Sequence, residues 1–257
     1  MLPVIRRERI LQFLNFEKEI KVSDLSQRLK VAEETIRRDL QEMEKAGRLI
    51  RVHGGAIKNE RARALDLTIN ERESLNSDEK DAIAREAVNL IQDGETIFLD
   101  ASTTVLPMAH YLREKRYLNV LTNSVRIVME LREVPEIHVV CTGGTLRRVG
   151  LSLVGPVAES AIRGFHADKV FMSSTGVTIE GGMLDFNELV AKVKKVMIDS
   201  STEKVCLADS SKFGTVSFAK VIDLKSLDYI ITDWKISDGV KSQLASFKAK
   251  LIIARMP

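Results

Sequence analysis

Glu34, Arg37, Arg38 and Gln41 fall on one side of a helical spacing, opposite the apolar stripe Ile36, Leu40 and Met43. Two adjacent arginines flanked by a carboxylate and an amide make a mixed donor and acceptor surface. Such a surface suits base edges in a groove and phosphates along a nucleic-acid backbone. A second set of polar residues follows apolar runs further along: Asp100-Ala101-Ser102-Thr103-Thr104, Thr122-Asn123-Ser124, Thr142-Gly143-Gly144, and Asp209 to Gly214 with Lys212. Hydroxyls and backbone N–H groups at helix starts suit a phosphate. Asp100 offers an acceptor for sugar hydroxyls, Gly143 and Gly144 permit close backbone approach, and Lys212 balances negative charge. Together they describe a pocket for a small polyhydroxylated anion.

The first set needs a helix with a fixed start and stop. The spacing predicts one through Glu33–Lys45, entered by a turn at Lys30–Ala32 and capped by Gly47. Arg48–Val52 then alternates as a strand, and Gly54-Gly55 makes a tight bend behind it. Upstream, Arg6–Phe16 carries Ile10, Leu11 and Leu14 on one face and opens on basic residues suited to a DNA backbone. Ser23 is placed to cap a helix over Asp24–Leu29, and Ile20–Val22 is a short strand expected to pair with Leu49–Val52. These elements predict a winged helix-turn-helix over residues 1–57.

The second set needs a sheet whose strand ends share one edge. Residues 58–77 are charged and poorly periodic and read as a linker, and a helix follows at Glu79–Ile91. Strand runs are expected at Thr96–Leu99, Leu118–Leu121, Ile137–Cys141, Lys169–Met172, Val205–Ala208, Tyr229–Thr232 and Leu251–Ala254. Helical patterns lie between several of them, at Val105–Leu112, Ser124–Leu131, Val157–Arg163 and Leu189–Asp199. That alternation predicts an α/β domain over 78–257 with a mainly parallel, helix-covered sheet, in which ligands collect beyond the carboxyl ends of the strands.

The totals fit this division. The chain has 257 residues and a formal net charge of +3. Residues 1–57 hold 12 Lys and Arg against 9 Asp and Glu, and the remainder is balanced, so the whole excess sits on the segment expected to meet a polyanion. No apolar run approaches a bilayer span, no secretory signal is evident at the start, and a cytoplasmic location is expected. Cys141 and Cys206 lie in strand-like runs without metal-ligand spacing and are expected as buried free thiols. His53, His110, His138 and His166 are scattered, so neither a metal nor a cofactor is expected.

Thr35-Ile36-Arg37-Arg38-Asp39-Leu40 and His53-Gly54-Gly55-Ala56 resemble the DNA-binding signature of the DeoR-type bacterial transcription regulators, sugar-phosphate sensors that include GlpR-type members. IFLDASTT, LTNS, GGTLRR, LVGPVAE, ADKVF and LADSSKFG resemble landmarks of that family's carboxy-terminal sensor domain. The resemblance implies a sensor fold similar to ribose-5-phosphate isomerase and control by a phosphorylated sugar or sugar derivative. The chain departs from the family pattern at Ala32, where members often have a capping serine, and at Ser102, which replaces a glycine. Ser173-Ser174-Thr175-Gly176 also differs from the usual glycine-containing turn.

Two functions of different class follow. One is a DNA-binding transcription regulator, most often a repressor in such a family, of a carbohydrate-utilisation operon. The other is a sugar-phosphate isomerase-like enzyme with an accessory DNA-binding domain, and no residue spacing demands catalysis. The expected DNA-contacting set is Arg6, Ser23, Glu34, Thr35, Arg37, Arg38, Gln41, Arg51, His53, Gly54 and Gly55. The expected effector-contacting set is Asp100, Ser102, Thr103, Thr104, Thr122, Asn123, Ser124, Gly143, Gly144 and Lys212. The expected partners are double-stranded operator DNA, a phosphorylated sugar and further copies of the chain, as a dimer or tetramer, since helix-turn-helix readers pair to span two half-sites.

Overall fold

A computed structural model describes residues 6–7, 9–10, 13–14, 17, 19–45, 49–58 and 69–256. The chain divides into two compact units, Met1–Leu67 and Thr68–Pro257.

In the first unit the described residues between 6 and 17 are helical. Strand β1 (Glu19–Lys21) leads into α1 (Val22–Leu29), and α2 (Glu33–Lys45) precedes the hairpin β2 (Leu49–Val52) and β3 (Gly55–Lys58). Ile10, Leu14, Leu25, Leu29, Ile36, Leu40, Met43 and Leu49 close one small core. Two expectations change. Helix α1 begins at Val22 behind Lys21, so Ser23 lies inside the first turn and makes no cap. Strand β1 pairs with β3, not with Leu49–Val52, giving the order β1-β3-β2. A Cβ on Gly55 would collide with the Ile20 carbonyl, so the glycine is what lets β3 take the central place. The expected cap at Gly47 lies outside the described residues.

The second unit begins earlier than expected. Helix α3 (Ile69–Ser74) lies inside the stretch read as a linker, and α4 (Ser77–Val88) begins at its end. Arg72 Nη2 donates to the Val149 carbonyl at 3.0 Å and Asn76 Nδ2 to Asp209 Oδ1 at 3.0 Å, which ties these helices to the body of the unit.

All seven expected strands form one parallel sheet. They are β4 (Thr96–Leu99), β5 (Leu118–Thr122), β6 (Ile137–Cys141), β9 (Ala167–Met172), β12 (Ser201–Leu207), β14 (Tyr229–Thr232) and β15 (Lys250–Ile253). Their order is β15-β14-β12-β9-β4-β5-β6. Near-continuous apolar runs such as Ile97-Phe98-Leu99 are what a sheet buried on both faces requires. Ile97, Leu99, Phe171 and Leu207 pack on one face with Ile83 and Ala87 of α4. Phe98, Val170, Met172 and Cys206 pack on the other with α7 (Pro156–Arg163) and α8 (Glu188–Asp199). Two small additions escaped the sequence pattern: the hairpin β7 (Thr145–Arg147) and β8 (Ser152–Val154), and the antiparallel sheet β10 (Gly176–Thr178), β11 (Gly182–Asp185) and β13 (Ala219–Ile222).

The chain runs outward from β4 through β5 to β6, then returns to place β9 on the other flank of β4. The loops after β4 and β9 therefore diverge, and this reversal opens a crevice beyond their carboxyl ends.

Cys206 is buried, and burial pushes its thiol up to about 12. Cys141, expected to be buried, is exposed at the end of the edge strand β6. No helix of the described residues is long and apolar enough to cross a membrane. No group of metal-holding side chains occurs among them either.

Candidate functional site

On the first unit the outer face of α2 is polar as the spacing requires. Ile36, Leu40 and Met43 are buried, while Glu34, Arg37, Arg38 and Gln41 are exposed and Thr35 is half-buried. Arg37 is partly engaged by Glu33 at 2.7 Å and Glu34 at 3.7 Å. Arg38 forms no ion pair among the described residues, so its guanidinium is the more available of the two. Arg51, His53 and Gly54 are exposed on the hairpin, and Gly54 takes φ +82°, a left-handed turn position. Arg6 behaves differently from its expected role. It is only 8% exposed and, with Arg7 at 2.9 Å, pairs with Asp39, itself buried on the apolar side of α2. That geometry holds the first helical residues to α2 and does not present Arg6 to a phosphate.

On the second unit the crevice is organised by a buried lysine. Lys194 of α8 reaches Asp185 Oδ2 at 2.5 Å, Asp100 Oδ2 at 2.9 Å and the Ser173 carbonyl at 2.5 Å. Burial opposes its charge, but Asp100 and Asp185 override that and raise its pKa. Asp100 also accepts the backbone N–H groups of Ser102 at 3.1 Å and Ser173 at 3.4 Å, and is 1% exposed. Its carboxylate is part of the floor of the crevice, holding the divergent loops together. It is not the open acceptor for sugar hydroxyls that the sequence suggested.

Lys212 does reach the expected place. Its Nζ donates to Thr104 Oγ1 at 2.7 Å and Ser173 Oγ at 2.6 Å, with Asp209 Oδ2 at 3.6 Å. Three strand ends thus meet at one ammonium group. Burial pushes the Asp209 carboxyl up, but Lys212, Ser211, Lys80 and Asn76 together hold it below the usual carboxylate range. Lys80 caps the carbonyls of Arg72 and Leu75, and burial with Lys212 nearby lowers it to about 8.

The other expected residues divide by task. Thr122 is fully buried, donating to the Leu99 carbonyl at 2.7 Å and accepting Ser124 N–H at 3.0 Å. Ser124 caps α6 (Val125–Leu131) by accepting Ile127 N–H. Both are spent on local structure. Ser102 accepts Val105 N–H at 3.3 Å within a turn. No helix starts there, since α5 (Met108–Tyr111) begins later and has only four residues, so the helix-dipole argument fails for this loop. Thr103 lines a cavity of about 420 Å³ together with Glu73, Ser77, Asp78, Lys80 and His110. A Cβ on Gly144 would lie 2.8 Å from the Val154 carbonyl, so this glycine serves backbone packing. A Cβ on Gly143, at φ +65°, would meet Val157 Cγ1 at an ordinary 3.9 Å. Asn123 is buried with Oδ1 unpartnered among the described residues, while Nδ2 donates to the Leu153 carbonyl at 3.0 Å.

The residues missed were Ser173, Asp185, Lys194, Lys80 and Asn76. Lys194 had a signal: it sits on the stripe Val190, Ala191, Met197, Ile198, where a charge demands a buried partner.

A winged helix with a polar, arginine-bearing outer face, on one chain with an α/β unit whose strand ends enclose a polar crevice, defines a DNA-binding regulator. The DeoR-like helix-turn-helix domain model matches residues 6–62, and the DeoR C terminal sensor domain model matches residues 75–234. The chain belongs to the DeoR family of helix-turn-helix transcriptional regulators. It is 39% identical to the HTH-type transcriptional regulator YulB of Bacillus subtilis (strain 168), over 98% of this chain and 96% of that one. It is 33% identical to a putative aga operon transcriptional repressor of Escherichia coli O157:H7, over 89% and 85%. These relatives are named as regulators, and the isomerase-like enzyme reading is set aside. The structure of ribose 5-phosphate isomerase A from Methanocaldococcus jannaschii aligns at 20% identity and a TM-score of 0.40, over 55% of this chain and 56% of that one. No chemistry is carried across that distance.

Proposed function

We propose that this regulator represses a carbohydrate-utilisation operon in the cytoplasm, binding double-stranded operator DNA as a dimer or tetramer. A phosphorylated sugar bound in the crevice of the second unit controls that affinity. In this reading residues 1–57 contact DNA through α2 and the hairpin behind it, and the unit from residue 68 onward binds effector and carries the oligomer contact.

The observation that carries the effector reading is the meeting of Lys212 with Thr104 and Ser173 at the reversal of strand order. A cation ringed by hydroxyls at such a crevice matches a ligand that is both anionic and hydroxylated. A relative from Streptococcus mutans named as the lactose phosphotransferase system repressor supports sugar-linked control. Coupling between the sites needs only that the ligand prefer one arrangement of the DNA-binding units, typically worth about 1–3 kcal/mol.

Fluorescence anisotropy with the DNA upstream of the regulator's own operon tests this directly. Pentose and hexose monophosphates and their free sugars are added in turn. A monophosphate is expected to shift operator affinity where its parent sugar does not. Equal action by the free sugar removes the phosphate from the reading.

A further inference from the structure

Two arginines face each other above the crevice, Arg72 on α3 and Arg147 on β7, and both are half-buried. A carbon placed as a Cβ on Gly150 would lie 3.0 Å from Arg147 Nη1, 3.4 Å from Ser152 Oγ and 3.6 Å from Arg72 Nη2. Three donors therefore converge beside Gly150, where a side chain would crowd Arg147. Arg147 lies over the Phe186 ring, 4.7 Å from its centre, which orients the guanidinium plane.

Carboxylates compensate the charge here only in part, with Asp185 reaching both arginines. Asp185 and Glu73 are the carboxylates whose fields reach Arg72, and both are engaged elsewhere. Asp185 holds Lys194 at 2.5 Å and Thr175 Oγ1 at 3.0 Å, and Glu73 holds Arg126 at 2.7 Å. Burial lowers the pKa of both arginines, and the Arg72 charge lowers Arg147 further. Arg72 Nε and Ser152 Oγ are buried without a hydrogen-bond partner among the described residues. Paired, half-buried guanidiniums call for an anion, since Arg72 spends only one Nη2 hydrogen bond, on the Val149 carbonyl, and keeps donors to spare. A planar monoanion neutralises one of the two charges. A tetrahedral dianion neutralises both and offers an oxygen to each fork and to the hydroxyl.

We propose that Arg72, Arg147 and Ser152 clamp the phosphoryl group of a phosphate monoester, an assignment that rests on the effector reading above. The phosphate then sits between α3 and the β7–β8 hairpin, and not on the loop after β4. The sugar extends toward Asn123, whose idle Oδ1 accepts a ligand hydroxyl, and toward Ser173 and Lys212. Helix α3 is the first element of the second unit, so the phosphate fastens the part of that unit nearest in the chain to the DNA-binding unit.

Isothermal titration on the full chain tests the clamp, using inorganic phosphate and the panel of pentose and hexose monophosphates. Arg72→Gln and Arg147→Gln are each expected to weaken monophosphate binding at least about tenfold. Arg147→Lys should fall between, because lysine keeps the charge but loses the fork. Inorganic phosphate should bind the wild type weakly and neither glutamine variant. Melting of the unliganded variants checks folding, and if a glutamine variant fails to fold, the lysine variant carries the comparison. Wild-type monophosphate affinity in both glutamine variants overturns the clamp and leaves the effector reading standing. A wild type that binds no monophosphate and no phosphate overturns both.

Discussion

Lys194 Nζ lies 2.9 Å from Asp100 Oδ2, a cation and an anion both buried beneath the crevice, with Asp185 closing the triad at 2.5 Å. Removing the cation alone strands two buried carboxylates. Lys194→Met is expected to cost about 3–5 kcal/mol, read by urea denaturation of the second unit. Asp100→Asn keeps the shape and one acceptor and should cost less. A loss under about 1 kcal/mol for Lys194→Met would mean that the triad does not hold the loops together.

On α2 the two arginines should separate experimentally. Arg38→Ala is expected to weaken operator binding by about 1–3 kcal/mol if it contacts a base, or to reduce the salt slope by about one if it contacts phosphate. Arg37 must first leave Glu33, so its replacement should cost less. Anisotropy titrations at several salt concentrations distinguish these outcomes. The reverse ranking would place the groove-facing side of α2 nearer Glu33.

Gly54 and Gly55 are adjacent but fail for different reasons. Gly54→Ala forces a side chain to φ +82° in otherwise open space, at a cost of about 1 kcal/mol. Gly55→Ala drives a methyl group into the Ile20 carbonyl and should cost more than that, opening the β1–β3 pairing. Thermal unfolding of residues 1–67 followed by circular dichroism reads both. Equal losses would show that the strand approach relaxes freely.

Lys80 predicts a pH dependence. Burial first, then Lys212, holds it at about 8 in the folded chain, against 10.5 for an ordinary lysine. Between those values the unfolded chain binds more protons, so the stability of the unliganded protein rises with pH through that window. A nearby phosphate favours the protonated lysine, and monophosphate affinity should therefore fall as pH climbs past about 8. Calorimetry from pH 7 to 9.5 checks the sign. Lys80→Met should flatten both dependences, and an unchanged profile would assign the titration to another group.

The seven strands were legible because a sheet covered on both faces writes its strands as short apolar runs, as in Ile97–Leu99. The strand ends were legible with them, which is why Asn123 and Lys212 could be placed just beyond β5 and β12. What the sequence concealed was which polar groups were already occupied. Thr122, Ser124 and Asp100 have the same side chains whether they meet a ligand or a backbone N–H, and only distance tells the two apart. The missed groups were harder for a different reason. Arg72, Arg147 and Ser152 come from a short helix and a hairpin of three-residue strands, too brief for any periodicity. Asp39, Lys80 and Lys194 did leave a trace, each being a charge on an apolar helical stripe. Such a residue is evidence of a buried partner elsewhere in the chain.

The triad under the crevice, with the Ser173 carbonyl, joins four stretches: the loop after β4, the end of β9, strand β11 and the middle of α8. Pairing of β9 with β4 brings the first two together, whereas β11 lies in a different sheet and its Asp185 is linked to Asp100 through Lys194. The floor therefore depends on Lys194, and its withdrawal strands two buried carboxylates at once. Softening by degrees is not open to such an arrangement. As temperature rises, the fraction of molecules with a formed pocket should drop over a narrow interval, while every molecule that keeps a pocket keeps the same one.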